Sequence, residues 1–112
     1  MEHQDLLVGF VRMHILHHAA DGELYGQWMI EELAHHGYKI SAGTLYPMLH
    51  GMERKGYLKS FKKRDGRTYR RIYRATPLGR KALVLVRTRL NELFDEVAKK
   101  RRKRAKLVGR DS

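Results

Sequence analysis

The residues best suited to bind a polyanion lie in one short segment, residues 59–74. This segment contains eight Lys and Arg residues and a single acidic residue, Asp65. Cations at this density neutralise phosphates along a duplex or reach into its minor groove. Charged faces that only prevent edge-to-edge aggregation of a hairpin would need fewer of them. The sequence therefore predicts phosphate contacts from Lys62, Lys63, Arg64, Arg67 and Arg70.

A second candidate contact lies at the start of a predicted helix. A helix that enters the major groove needs small polar residues in its first turn, where the backbone comes close to phosphate. Ser41, Gly43 and Thr44 meet this need, and Tyr46 can reach a phosphate or a base edge. Taken alone, the pattern is equally typical of an ordinary helix start with a serine N-cap. The basic segment that follows favours nucleic acid.

Metal chemistry and catalysis find little support in the sequence. His14, His17 and His18 have the i, i+3 and i+4 spacing that can hold zinc, but no cysteine is present and no carboxylate completes the set locally. Folding can still bring ligands together from elsewhere in the chain. The sequence shows no nucleophile elbow and no phosphate-cradling glycine loop. We expect no metal, no cofactor and no enzymatic activity.

Charge is strongly polarised along these 112 residues, which are enough for one domain and an appended helix. Residues 1–53 hold two basic and seven acidic residues, whereas residues 54–112 hold 22 basic and five acidic ones. Evenly mixed charge would serve solubility equally well, so the polarity indicates a polyanionic partner. No apolar run is long enough to span a membrane and the N-terminus lacks the charge of a signal peptide, so we expect no membrane contact and a cytoplasmic location.

The elements that must position these residues follow from periodicity and turn signals. Apolar spacing predicts three helices, two short β-branched and aromatic runs predict a hairpin around Asp65-Gly66, and Thr76-Pro77 predicts the start of a fourth helix. Pro47 should distort the third helix. The fold class is mainly α with a small β-hairpin, a winged helix-turn-helix with a long C-terminal dimerisation helix. The predicted ranges are helices 4–18, 26–36 and 41–55, strands 57–63 and 68–75, and a helix from 77 to about 100 or beyond.

The domain organisation predicted from these elements has three parts. Residues 1–76 form the winged helix-turn-helix, residues 77–100 form the dimerisation helix, and residues 101–112 form a basic tail that we expect to be flexible. Apolar residues in the helix step by three and four, a heptad seam that needs a partner helix and therefore predicts a homodimer. The predicted interface consists of Leu83, Val86, Leu90, Leu93, Phe94 and Val97.

The segment Ser41–Leu49 resembles the Ser-x-Gly-Thr-Leu-Tyr-Pro-x-Leu signature in the recognition helix of PadR family transcriptional regulators. Leu24-Tyr25-Gly26 and Gly66-Arg67 resemble the family's entry to helix 2 and its wing, and the similarity covers about residues 6–83. The chain is similar to the short branch, which has one C-terminal helix. Gly26-Gln27-Trp28 replaces the usual Gly-Tyr-Glu, so the resemblance transfers a DNA-backbone contact to Gln27.

The resemblance also raises the question of a small-molecule effector. Drug-sensing members of the short branch stack a planar ligand on an aromatic residue of helix 4, where this chain has Phe94 alone. Trp28 is a second candidate effector contact, although a tryptophan between Met29 and Ile30 also suits helix packing.

Two functions remain open at the level of sequence. The first is a sequence-specific DNA-binding regulator, a homodimeric repressor that binds a double-stranded operator and is released by an effector. The alternative is a basic architectural protein that binds nucleic acid without sequence preference through the hairpin and tail. The signature at Ser41–Leu49 favours the regulator.

Overall fold

The computed structural model describes residues 3–111, with the side chains of residues 3–108. It confirms the winged-helix architecture: a bundle of three helices precedes a β-hairpin, and a long helix follows. The elements in chain order are α1 (Gln4–Asp21), β1 (Leu24–Tyr25), α2 (Gly26–His35), α3 (Ala42–Arg54), β2 (Leu58–Asp65), β3 (Thr68–Ala75) and α4 (Pro77–Asp111).

The sheet has three strands rather than the two predicted. β1 pairs with β3 in antiparallel register, with Leu24 opposite Tyr73 and Tyr25 opposite Ile72, so the strand order is β1-β3-β2. A strand of two residues is too short to show an alternation of apolar and polar side chains, so the sequence did not predict it. Because Leu24 and Tyr73 are both fully buried, β1 fixes the base of the hairpin to the helical bundle.

The hairpin turn consists of Gly66 and Arg67, since Asp65 pairs directly with Thr68. Gly66 has φ +63°. A glycine with positive φ at the first of two turn positions is what a type II′ turn requires, and this turn follows the twist of the strands. The hairpin therefore extends two residues further on β2 than predicted, and its tip carries Arg67 into solvent.

The core lies where α1, α2 and α3 meet the base of the sheet. Its fully buried side chains include Ile15, Met29, Leu33, Leu45 and Leu49. Pro47 does not interrupt α3, contrary to expectation, and the helix runs without a break from Ala42 to Arg54. Because proline has no backbone N–H, the carbonyl of Gly43 lacks its intrahelical hydrogen bond from position 47. Both residues are exposed, so water can satisfy this carbonyl.

α4 begins at the predicted N-cap. The Thr76 hydroxyl accepts a 3.0 Å hydrogen bond from the Gly79 amide and donates to the carbonyl of Gly56, which follows α3. Gly79 also lies against the backbone of Tyr57: a Cβ there would be 2.2 Å from the Tyr57 carbonyl oxygen. These contacts fix the start of α4 to the end of α3 and the base of β2.

The far end of α4 extends beyond residue 100. The residues that we predicted as a basic tail are helical to Asp111 in the structure, and their flexibility stays a prediction. Residues 80–108 contain no Gly or Pro, and Lys, Arg and Ala are good helix formers, so nothing in this stretch stops the helix. At about 1.5 Å per residue, 35 residues span roughly 52 Å, and the molecule accordingly measures 72 × 30 × 22 Å.

The predicted dimer seam divides in two. Leu83 is only 5% exposed because it packs in the core of its own chain. We expected it at the dimer interface, but a partner cannot reach it. Leu90 is half-buried, whereas every side chain from 91 to 108 is exposed. Leu93 and Phe94 are 52% and 62% exposed.

The close approach at Gly79 generates a stability prediction. Gly79→Ala should lower the free energy of unfolding by at least about 1 kcal/mol, because the added methyl group overlaps the Tyr57 backbone. Gly9→Ala is the matched control, since a Cβ there meets nothing within 4 Å and should raise helix stability by about 0.5–1 kcal/mol. Urea unfolding of both variants measures the difference, and equal stabilities would contradict the assigned contact.

Candidate nucleic-acid interface

The helix-turn-helix pair is set by a contact between Tyr46 on α3 and Gly26 at the start of α2. A Cβ on Gly26 would lie 2.5 Å from the Tyr46 hydroxyl oxygen, so only glycine lets the tyrosine ring cover this helix end. Gln27 follows directly and is exposed at the same end. The structure thus brings Tyr46 and the N-terminus of α2 together, as a shared binding surface requires.

The N-terminus of α3 is open at this surface, whereas that of α2 lies under the Tyr46 ring. α3 has Ser41 at its N-cap with no side-chain bond to the helix backbone, and the first turns of α2 and α3 contain no acidic residue. The Ser41 hydroxyl lies 3.4 Å from that of Thr44, and Ser41 and Gly43 are exposed. Unscreened N–H groups and the helix dipole make such ends favourable for phosphate.

One exposed stripe of α3 continues from this helix end. Gly43, Tyr46 and His50 follow at spacings of three and four and are all exposed, whereas Leu45 and Leu49 face the core. His50 was not among the predicted DNA contacts, but its i+4 spacing from Tyr46 places it on the same exposed stripe.

The hairpin concentrates positive charge by placing cations opposite one another. Lys59 pairs with Arg74, Lys62 with Arg71 and Lys63 with Arg70 across β2 and β3. Like charges directly opposite on a sheet destabilise it. An anion bound to this hairpin, which we call the wing, would relieve that repulsion.

Glu23 in the α1–β1 loop neutralises two of the wing cations. Its carboxylate accepts hydrogen bonds from Lys63 Nζ at 2.7 Å and from Arg74 Nη2 at 2.8 Å. These two bonds lower the pKa of Glu23 below its ordinary value. Arg70 likewise forms a 2.7 Å ion pair with Asp65. Among the predicted contacts, Lys63 and Arg70 are therefore already paired.

The remaining wing cations are available to an external anion. Within the described side chains, residues 3–108, no carboxylate lies within ion-pairing distance of Lys59, Lys62, Arg64, Arg67 or Arg71. Arg71 was not among the predicted contacts, but its register opposite Lys62 places it on the same face of the wing. This face is the most strongly cationic part of the interface.

The two effector candidates are not brought together. Trp28 packs edge-on against His18, with 5.0 Å between ring centroids, while Phe94 lies on the exposed half of α4. Neither lines the apolar groove of about 730 Å³ that separates α1, α3 and α4. That groove is lined mainly by apolar side chains, among them Phe10, Met13, Met48, Met52, Val86 and Leu90.

None of the helices in the described part of the chain is long and apolar enough to cross a membrane.

The fold and this surface define a winged-helix protein, and comparison with known proteins assigns its family. Residues 15–84 match the transcriptional regulator PadR-like family. The chain is 57% identical over 88 residues to the transcriptional regulator Rv3488 of Mycobacterium tuberculosis, covering 78% of this chain and 81% of that one. The chain therefore belongs to the PadR-like family of transcriptional regulators, which confirms the expectation of a non-enzymatic regulator.

Solved structures agree with this assignment. A PadR family transcriptional regulator from Eggerthella lenta superposes with a TM-score of 0.69 at 31% identity, over 86% of this chain and 88% of the other. A transcriptional regulator from Clostridium thermocellum gives a TM-score of 0.72 at 29% identity, over 89% and 97% of the two chains.

The Glu23 pairing generates a prediction about DNA affinity. Glu23→Gln should raise the affinity for random duplex, because it removes one negative charge from the wing and releases Lys63 and Arg74 to bind phosphate. Fluorescence anisotropy across a salt series measures both the affinity and a steeper salt dependence. The control Glu92→Gln removes a carboxylate from α4, paired with Arg89, and should change neither quantity. A weaker complex with Glu23→Gln would show that the carboxylate positions the wing for binding.

Proposed function

We propose that this regulator is a homodimeric repressor that binds a specific double-stranded DNA operator in the cytoplasm. In this proposal α3 enters the major groove by its N-terminal turn, and the wing follows the flanking backbone. The observation that carries the proposal is the pairing of like charges across the wing, beside the open N-terminus of α3.

The homodimer is supported by the unburied half of α4. A helix of about 18 residues with no packing of its own is marginal in water, and residues 91–108 have none within the chain. Leu93, Phe94 and Val97 lie exposed here and continue the seam from Leu90. Burying each such side chain contributes roughly 1.5–3 kcal/mol. A second copy of α4 packed along this seam would bury them.

Release by an effector follows from where the groove lies. The groove borders α4 on one side and α1 and α3 on the other, and its volume is within the range of small-molecule sites. An effector that binds one angle of α4 better than another would shift the spacing between the two reading helices and so release the operator. Trp28 and Phe94, the predicted effector contacts, do not line this groove, so an effector in it would contact Met48, Met52 and Val86 instead.

Matched variants can distinguish base recognition by α3 from phosphate binding by the wing. Thr44→Ala, Tyr46→Phe and His50→Ala each remove a polar group from the α3 surface, and Tyr46→Phe keeps the ring over Gly26. If these groups contact bases, each variant should lower the ratio of operator to random-DNA affinity. The difference between the two binding free energies should fall by about 1–3 kcal/mol. Arg67→Ala should lower both affinities together and reduce the salt slope by about one unit.

The measurement is a salt titration of each variant on two duplexes. The operator is first obtained by selecting bound fragments from genomic DNA, and its scrambled version serves as the random duplex. If all three α3 variants leave the affinity ratio unchanged, α3 is not the reading element and non-specific architectural binding becomes the better account.

The dimer is tested by placing a charge on the exposed seam. Leu93→Lys should dissociate the dimer at micromolar concentration and weaken operator binding with it, because lysine cannot be buried unpaired in an apolar seam. Val84→Lys is the control: it is equally exposed but lies two and a half turns earlier, on the opposite side of α4. Sedimentation velocity measures both. A monomer that still binds the operator tightly would contradict the proposal.

A further inference from the structure

The last part of α4 carries a second concentration of positive charge, which the proposed function does not use. Seven of the eight residues 99–106, which we call the basic end, are Lys or Arg. Within the described side chains, residues 3–108, only Lys100 of the basic end pairs with a carboxylate, that of Glu96 at 3.0 Å. Like charges three and four positions apart on a helix repel one another. A polyanion bound to the basic end would relieve this repulsion.

The basic end projects away from the winged-helix body. α4 packs against α1 and β3, but every side chain from 91 to 108 is exposed. At about 1.5 Å per residue, residue 99 lies roughly 33 Å along the helix from Pro77, and residue 106 lies roughly 44 Å from it. Because the body surrounds the start of α4, the basic end forms one end of the 72 Å molecule. It is therefore separate from the surface formed by α3 and the wing.

Cations occupy every side of this part of the helix. Successive residues of an α-helix are about 100° apart, so seven cations over roughly two turns leave no apolar stripe. Arg101 follows Val97 by one turn, so the apolar seam of α4 ends where the basic end begins. A second helix packed along the seam would meet like charge beyond Val97, and the two helices would diverge there.

This arrangement fits the major groove of a DNA duplex. The groove is wide enough for a whole α-helix, and phosphates lie along both of its sides. Helices that continue from a dimer seam into a basic region enter major grooves in this way. The surface of an anionic membrane would instead favour a helix with one apolar face and one basic face.

We propose that the basic end binds the major groove of a second duplex, apart from the one held by α3 and the wing. Its residues are Lys, Arg and one Ala, with no Asn or Gln to pair with adenine, so we expect affinity without sequence preference. One molecule of the regulator would then join two DNA segments. This activity goes beyond the binding of an operator and does not require the first duplex to be a specific one.

The test measures the capture of a second duplex by protein that is already held on a first. A biotinylated operator duplex is fixed to a sensor and saturated with the full chain, and a short fluorescent duplex of unrelated sequence is then added. We expect capture that weakens steeply as salt is raised. Capture is expressed per molecule of protein held, so the result is interpretable even if the first duplex is bound without sequence preference.

Two matched double variants locate the site. Arg102→Gln with Lys103→Gln should weaken capture at least about tenfold, because two phosphate contacts are lost. Arg80→Gln with Lys81→Gln is the control: it removes one Arg and one Lys from exposed positions near the start of the same helix and should capture as the parent chain does. Glutamine is a good helix former, so both variants should melt at the temperature of the parent.

Several outcomes would overturn the proposal. The first is that no second duplex is captured. Equal capture by the parent and both variants would assign the joining of duplexes to the wings of two protomers, and equal loss in both variants would mean that no particular cations of α4 are required. If the basic end strengthens binding only when the first duplex is lengthened, it contacts the flanks of the operator. If it binds phosphatidylserine vesicles and no second duplex, its partner is a lipid surface.

The unaltered chain provides a second measurement that does not depend on the folding of a variant. Adding the second duplex to operator-bound protein should slow the amide hydrogen exchange of residues 99–108, because binding holds the helix closed. Unchanged exchange in these residues, at a duplex concentration that saturates capture, would also overturn the proposal.

Discussion

The contact between Gly79 and the Tyr57 carbonyl is the constraint on which the rest of the molecule depends. It fixes the first turn of α4 against the base of β2, while the Thr76 hydroxyl joins the same turn to the residue that ends the α3 segment, Gly56. α3, the wing and α4 therefore leave one point in fixed directions. Any dimer formed along α4 inherits the distance between its two copies of α3 from this junction, because the 35-residue helix magnifies small angular changes.

The charge polarity of the sequence has a clear structural counterpart. The acidic first half folds into the bundle, and its Glu23 reaches the wing to hold two of its cations. The basic second half forms the wing and α4. Because Glu23 and Asp65 occupy one face of the wing, the opposite face with Lys62 and Arg71 is left to an external partner. The intramolecular acids thus select which cations are exposed to DNA.

Much of this could be predicted from the sequence because local signals were strong. Thr76-Pro77 predicts the start of α4 because threonine suits the N-cap and proline the first helical position. The Ser41–Leu49 signature predicts the position of α3. What could not be predicted depends on tertiary placement. Leu83 continues a heptad pattern yet lies in the core of its own chain, β1 is too short to show periodicity, and Glu32 comes close to His18 only after α2 packs on α1. The pairing of Lys63 with Glu23, 40 residues away, has no local signal either.

The facing cations of the wing also affect the folding equilibrium. Three cation pairs face each other across β2 and β3, and among the described side chains only Lys62–Arg71 has no carboxylate partner on either cation, so the free protein retains repulsion there that the unfolded chain relaxes. Small ions screen this repulsion only in part at physiological ionic strength. A polyanion that binds the native wing but not the dispersed charges of the unfolded chain therefore acts as a stabilising ligand. For this regulator, nucleic acid therefore stabilises the folded state of the protein that binds it. Protein molecules that are not bound to DNA unfold more readily and are more easily cleaved by proteases.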